Sequence, residues 1–499
     1  MANGGVKRIM LFPTVEFIVF FLAVLTALVC YKNRKFQHAL LVIASFFFLY
    51  FSDNYLILLL IYTTILHYFI GKKIFDSEKI KEKKIFLWIG IGGSLGLLGF
   101  FKYMDFGITQ FNNLLMNLGI SEIPLMNVVL PIGISFYTFQ SISYIIDIYR
   151  GSLKPTNSIL QYGLFVSFFP TLIAGPILRA SDFLPQLKEK ISNLKSNYRL
   201  RRFSINSKNL KIGITLMSIG FLKKIFFADN IAPMVDNVFN NPIGHETFTI
   251  ILGTIGFGLQ VYGDFSGYSD IAIGAALIIG INVPANFRKP FFATSPSDFW
   301  RRWHISLSTW VRDYLYFPLI FKNRNSSKRL FASLFTSFFL LGLWHGAGWN
   351  FIIFGIIHGI YVAVDTVIRQ RLPYLSENRF LKSRTGKIVS ILITQYLIFF
   401  AFIAFRVRDI DHMFYSMQKY LIWDFQIDST INFIQANEFS VFLILIFIIL
   451  QIVMLKIKNV AERISSLKMQ YWVIFLSILM ILVVLFYRGS AEEFIYFEF

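Results

Sequence analysis

Charge is scarce in this chain and cysteine almost absent. Only 15% of its 499 residues are charged, where ordinary soluble domains carry about a quarter, so a normal water-facing surface is excluded over most of its length. The single cysteine, Cys30, rules out an intramolecular disulfide and a cysteine-based metal cluster. Acidic residues number 28 against 48 basic ones. Asp264 and Asp270 stand without a third carboxylate nearby, which favours hydrogen-bonding and helix-breaking roles over cation binding, and no metal site is expected. Polar stretches long enough to form a soluble domain between the apolar ones are also missing.

What is present is apolar: 56% of the residues are hydrophobic and 18% aromatic. Apolar runs of about 17–25 residues are the mark of a membrane span, and Thr14–Cys30, Tyr55–Ile70, Ile85–Phe101, Ile388–Phe405, Val441–Leu455 and Tyr471–Tyr487 are clear cases. The first run is followed directly by Tyr31-Lys32-Asn33-Arg34 without a small-residue cleavage site, so it reads as a retained span rather than a signal peptide. The net charge of +20 invites a nucleic-acid partner, but most of the Lys and Arg fall in alternate loops, 31–38, 71–84, 148–158, 179–211, 282–329, 368–387 and 456–468. That is the bias of cytoplasmic loops, so the charge reports topology and no nucleic acid is expected. The partners it implies are membrane lipids.

Alternation of these loops gives an all-α, polytopic integral membrane protein of about 11 spanning helices, with re-entrant and interfacial helices besides. Ile159–Gly175 runs between two segments that both belong inside; Pro170, Gly175 and Pro176 make it a re-entrant or broken helix. Ile250–Ile281, with seven glycines, is too long for one span and reads as irregular. The count leaves Gly489–Phe499 on the external face.

Polar groups at bilayer depth cost about 2.5–3.5 kcal/mol each on insertion scales, and they concentrate between residues 130 and 360: Gln140, Asp147, Asp264, Ser266, Asp270, Arg301, Arg302, His304, His345, Asn350 and His358. The chain therefore divides into an N-terminal helical collar (1–125), a central core (126–370), closing C-terminal helices (371–487) and a tail (488–499). Within the core, Ser297–Pro318 carries Trp300, Trp303, Leu307, Trp310, Tyr314 and Phe317 at three-to-four spacing, an amphipathic helix with an aromatic stripe. Arg301, His304 and Ser308 would share an adjacent face, turned either to the membrane interface or to a polar cavity. Leu343-Trp344-His345-Gly346-Ala347-Gly348-Trp349-Asn350 sets a histidine beside two glycines that break the helix. An imidazole there can act as acid or base near neutral pH, or simply hold a backbone carbonyl. For His358 a structural role is expected. No Gly-x-Ser-x-Gly nucleophile elbow is expected, nor a Gly-x-x-x-x-Gly-Lys-Ser/Thr loop, a His-Glu-x-x-His helix or a His with Asp four residues on; serine hydrolases, ATP-driven pumps, zincins and soluble-type glycerolipid acyltransferases lose support.

Six segments in order resemble the membrane-bound O-acyltransferases. They are Pro131-Ile132-Gly133-Ile134-Ser135-Phe136-Tyr137-Thr138-Phe139-Gln140, Asp147-Ile148-Tyr149-Arg150-Gly151, Ala174-Gly175-Pro176-Ile177, Asp264-Phe265-Ser266-Gly267-Tyr268-Ser269-Asp270, Phe299-Trp300-Arg301-Arg302-Trp303-His304 and Gly342-Leu343-Trp344-His345-Gly346. The nearest branch is that of alginate O-acetylation and peptidoglycan O-acetyltransferase membrane proteins. The resemblance implies helices around a central tunnel, His345 and His304 as catalytic residues, and Arg301, Asn350, Trp344, Asp264 and Gln140 as substrate-binding. It implies no tightly bound cofactor, a cytoplasmic thioester donor (acetyl-CoA or another acyl thioester), a multi-pass protein of the bacterial cytoplasmic membrane, an extracytoplasmic acyltransferase partner, and an envelope polysaccharide, peptidoglycan or alginate-like, as acceptor. The end of the chain, Phe494-Ile495-Tyr496-Phe497-Glu498-Phe499, is similar to the aromatic terminal motif of these exporters, whose tyrosine is an acyl carrier; Glu498 departs from the more usual glutamine. The alternative is a transporter or channel for an envelope precursor, which broken helices and midplane polar residues fit as well, although the two halves show no internal repeat.

Overall fold

Apolar helix formers dominate every long run, and without water the backbone can satisfy its hydrogen bonds only within a helix. The protein, described here as a computed structural model of residues 10–190, 198–321, 326–374, 378–488 and 494–497, is accordingly helical. Its helices are α1 (Val15–Cys30), α2 (Arg34–Asp53), α3 (Ile57–Asp76), α4 (Ile80–Asn117), α5 (Ile134–Tyr149), α6 (Ile159–Ser167), α7 (Phe169–Leu172), α8 (Ala180–Phe183), α9 (Ser207–Phe221), α10 (Asp229–Phe239), α11 (Thr247–Ile279) and α12 (Pro296–Trp300). They continue with α13 (Ile305–Val311), α14 (Phe317–Ile320), α15 (Ser327–His345), α16 (Trp349–Arg371), α17 (Arg379–Lys382), α18 (Arg384–Arg406), α19 (Ile410–Leu421), α20 (Asp428–Ala436), α21 (Glu438–Val453), α22 (Val460–Ser465) and α23 (Met469–Leu485). One small antiparallel hairpin, β1 (Lys188–Lys190) with β2 (Tyr198–Leu200), pairs Glu189 with Arg199.

By length and composition, six stretches among the described residues can cross a membrane: Arg34–Asp76, Ile80–Asn117, Thr247–Ile279, Trp349–Arg371, Arg384–Arg406 and Glu438–Lys456. Two shorter apolar helices, α1 and α23, accompany them. The first stretch comprises α2 and α3, separated by a turn at Asn54 with φ 52°. Val15, Val19 and Leu22 on α1, and Ile478, Ile481 and Val484 on α23, are exposed; in water such patches drive association, whereas in lipid they face their natural solvent.

The chain forms two compact units, Met1–Ser218 with Tyr268–Pro284, and Ile219–Gly267 with Ala285–Phe499. In the first, α3 packs against α4 and α5, and α2 against α6. The segment expected to be re-entrant is broken at Phe168 into α6 and α7, of 9 and 4 residues, too short at 1.5 Å per residue to cross about 30 Å of hydrocarbon. In the second unit α15 and α16 form the most extensive helix pair, with α18 against α16 and α21 against α10.

Two expectations are corrected. Ile250–Ile281 is not irregular: α11 runs unbroken for 33 residues, because Gly263, Gly267 and Gly274 face neighbouring backbone, Gly253, Gly256 and Gly258 face neighbouring side chains, and Asp264 is paired with Lys224, so neither helix-breaking nor a loop is needed. Ser297–Pro318 is not one helix. It is divided into α12, a turn, α13, a π-helical turn over Arg312–Tyr316, and α14, with His304 in the left-handed region at φ 42°.

Candidate functional site

The turn at His304 is strapped from outside. Ile305 N–H donates to the Asn286 carbonyl (2.9 Å), the Ser306 hydroxyl to Asn286 Oδ1 (2.6 Å), and Arg288 N–H to the Arg302 carbonyl (2.9 Å). A non-glycine residue held left-handed costs of order 1 kcal/mol and persists only where surroundings impose it. Here the effect is to turn the His304 ring inward, fully buried, while Arg301 is left with a side chain 68% exposed beside Asp298. The shared face expected for Arg301, His304 and Ser308 does not exist, because the break at His304 interrupts the helical period; the Ser308 hydroxyl instead donates to the Trp303 carbonyl (3.1 Å).

Neither ring nitrogen of His304 has a hydrogen-bond partner among the described residues. Burial pushes its imidazole down to about 3, so the ring is neutral at physiological pH and offers one N–H and one lone pair. Its ring centroid lies 4.6 Å from Phe265 and 6.2 Å from Trp344.

His345 is the last residue of α15; Gly346 ends the helix and α16 begins at Trp349. The break expected at the two glycines is present, and its physical need is steric: a Cβ on Gly346 would lie 2.1 Å from the Phe351 ring. The His345 ring is buried among Trp344 (4.9 Å), Phe405 of α18 (5.1 Å) and Phe354 of α16 (5.5 Å). His358, further along α16, accepts a hydrogen bond at Nδ1 from Trp300 Nε1 (3.2 Å) and fastens α12 to α16.

Into this aromatic enclosure comes the C-terminal tail. Ile495–Phe497 forms a single 3₁₀ turn, with Phe494 and Ile495 buried. The Tyr496 ring centroid lies 4.9 Å from Phe265, 5.7 Å from His345, 6.1 Å from Phe405 and 6.3 Å from His304. A cavity of about 10 Å³ remains beside His345 and Tyr496, walled by Trp300, Trp303, Phe354 and Phe402, room for about one water. Glu498 and Phe499 lie outside the described residues, as does the Phe497 side chain.

The remaining candidates are placed as follows. Trp344 contributes its ring to both histidines. Asn350 Nδ2 donates to the Ala404 carbonyl (3.1 Å), tying the start of α16 to α18. Gln140 is buried on α5 in the other unit. Asp264 is an ion-pair partner: Lys224 Nζ lies 3.0 Å from its Oδ1 and 2.8 Å from Asp229 Oδ1. Lys224, only 2% exposed, escaped notice among the candidates although a lysine inside Phe221-Leu222-Lys223-Lys224-Ile225-Phe226-Phe227 is the kind of intramembrane charge that signals a partner. It reaches Asp264 from a π-helical turn, Leu222–Ala228, because Gly263 and Gly267 let α11 approach that backbone: a Cβ on Gly267 would lie 2.7 Å from the Gly220 carbonyl oxygen. Gly92-Gly93-Ser94-Leu95-Gly96 has the letters of a nucleophile elbow, but it lies in mid-helix on α4, where the Ser94 hydroxyl pairs with His67 Nε2 (3.2 Å); no strand-to-helix turn is formed.

Two neutral-capable imidazoles and a phenol enclosed by aromatics, on a helical membrane scaffold, form a water-poor centre suited to acyl transfer to a hydroxyl. The family model for membrane-bound O-acyltransferases matches residues 152–403. A probable alginate O-acetylase of Pseudomonas putida is 38% identical, over 72% of this chain and 71% of its own length. The peptidoglycan O-acetyltransferase of Helicobacter pylori is 35% identical over 76% and 73%, and the teichoic acid D-alanyltransferase of Bacillus subtilis 31% over 58% and 72%. The chain belongs to the membrane-bound O-acyltransferase family and is an O-acyltransferase.

Proposed function

We propose that this enzyme moves an acetyl group from a cytoplasmic thioester, acetyl-CoA or another acyl thioester, through the bacterial cytoplasmic membrane, with Tyr496 as an acyl relay towards an envelope polysaccharide. The observation that carries the reading is the placement of the Tyr496 ring 5.7 Å from His345 and 6.3 Å from His304. A phenol, with its pKa near 10, needs a base to attack at neutral pH. His345 takes the Tyr496 proton as the phenolic oxygen adds to the thioester carbonyl; the C–S bond then breaks, His345 passes the proton to the leaving sulfur, the thiol departs, and an acetyl-tyrosine ester remains. His304, neutral and with an unpartnered ring N–H, donates to the developing oxyanion. Aryl esters have better leaving groups than alkyl ones, so the tyrosine ester can hand its acetyl to a sugar hydroxyl through an extracytoplasmic acyltransferase. About eight extended residues from Arg488 reach roughly 26 Å, enough for the tail to swing between the two.

Peptidoglycan and alginate-like polymers are both candidate acceptors, since the relatives named for acting on each are similarly close. The test is to incubate purified protein with acetyl-CoA labelled in the acetyl group. Covalent label on the wild type that is absent from Tyr496→Phe and from His345→Ala is the expected result. A transporter of intact precursor would take up no covalent label, and label that persists in Tyr496→Phe would place the acyl acceptor elsewhere.

A further inference from the structure

The tail is held by its backbone, not only by its aromatic rings. Ile495 N–H donates to Asp264 Oδ2 (2.8 Å), while Asp264 Oδ1 faces Lys224 Nζ (3.0 Å). At the root of the tail Asn230 does similar work: its Nδ2 donates to the Phe486 carbonyl (3.2 Å), and its Oδ1 accepts from Arg488 Nε (3.3 Å). Both grips emanate from one buried cluster, since Asp229 beside Asn230 is the second anion on Lys224 (2.8 Å). Two carboxylates share one ammonium there. A buried carboxylate needs donors on both oxygens, and for Asp264 Oδ2 that donor comes from the tail. The next residue on α11, Phe265, packs its ring on Phe494, Tyr496 and His304.

We infer that Asp264, oriented by Lys224, is a positioning residue that moors the C-terminal tail and so sets Tyr496 beside His345 and His304. The mooring concerns the tail's position alone; only its consequence for acetylation rests on the relay described above. A backbone donor makes the grip indifferent to the side chain at 495, so a reporter can be placed there.

In full-length protein carrying Cys30→Ser, Ile495→Cys gives a single buried thiol on the tail, and its rate of modification by a charged maleimide reads how often the tail undocks. A second reporter, Ser337→Cys, is buried on α15 in the same unit and reads general loosening. Asp264→Ala leaves Lys224 its Asp229 partner. It is expected to speed labelling at 495 about tenfold or more while labelling at 337 stays within about twofold, as for a local opening. Asp264→Asn, whose amide oxygen still accepts the Ile495 N–H, falls between wild type and Asp264→Ala. Unchanged labelling at 495, or equal acceleration at 495 and 337, overturns the mooring. Faster labelling at 495 with polymer acetylation intact in Asp264→Ala would leave the mooring standing and remove the relay; a still-docked tail with Tyr496→Phe inactive would do the reverse.

Discussion

His304 combines two features that rarely coincide by chance, a left-handed backbone and a buried imidazole without a hydrogen-bond partner among the described residues. If the backbone requirement and the chemical one are separate, glycine at 304 should satisfy the first and abolish the second. His304→Gly is expected to lower stability in detergent by about 1–3 kcal/mol, the cavity left by the buried ring offset in part by relieved left-handed strain, and to lose acyl transfer far out of proportion to that; activity lost only in proportion to folded protein would mean that the ring serves packing alone. His345→Ala should insert and fold but lose roughly 10²–10⁴-fold in transfer rate, the contribution of a general base; near-normal acetylation of the cell-surface polymer would overturn that role. Tyr496→Phe should keep abundance and donor binding while eliminating polymer acetylation, and a wild-type level of acetyl on the isolated polymer would sink the relay. His345 and Tyr496 were legible in the sequence because a histidine between helix-breaking glycines and a hydroxyl in an aromatic tail stand out against apolar surroundings. Arg301 was misplaced because a helical wheel assumes an unbroken helix, and the turn at His304 sends the arginine side chain outward.

Helix pairing shows why glycine is placed so unevenly. A Cβ on Gly342 of α15 would sit 2.4 Å from the Phe351 carbonyl oxygen and 2.7 Å from Gly355 Cα, backbone that cannot yield, whereas a Cβ on Gly99 of α4 meets nothing within 4 Å. The two helices α15 and α16 are thus brought backbone to backbone, and that closeness fixes the turn bearing His345. Gly342→Ala should destabilise the protein by about 1–3 kcal/mol, seen as a lower Tm in detergent. Gly99→Ala should be neutral or stabilising by up to about 1 kcal/mol. Equal behaviour of the two would show that the α15–α16 contact does not limit stability. The same reasoning explains α11: its glycines looked like helix breakers in the sequence, but two of them, Gly263 and Gly267, let a continuous helix bring Asp264 up to Lys224.

At the scale of the whole molecule, the topology expected from the alternation of basic loops puts the end of α1 on the cytoplasmic side. Cys30 stands there, exposed and the only cysteine in the chain, so the native protein carries its own topology probe. In intact cells Cys30 should resist a membrane-impermeant maleimide and become labelled once the membrane is permeabilised; labelling in intact cells would invert the topology and with it the external placement of the tail. Membrane residence, helical class and family were determined by the sequence alone, because hydropathy, loop charge and ordered motifs are local properties that survive without coordinates; the same motifs singled out His304 and His345 as candidates. The tertiary structure alone decided that Lys224 binds both Asp229 and Asp264, that Asp264 receives the Ile495 N–H, and that Tyr496 lies against His345. Those contacts join residues up to 231 positions apart, and in a medium where an unpaired charge is so costly, only the folded packing determines which partner each one finds.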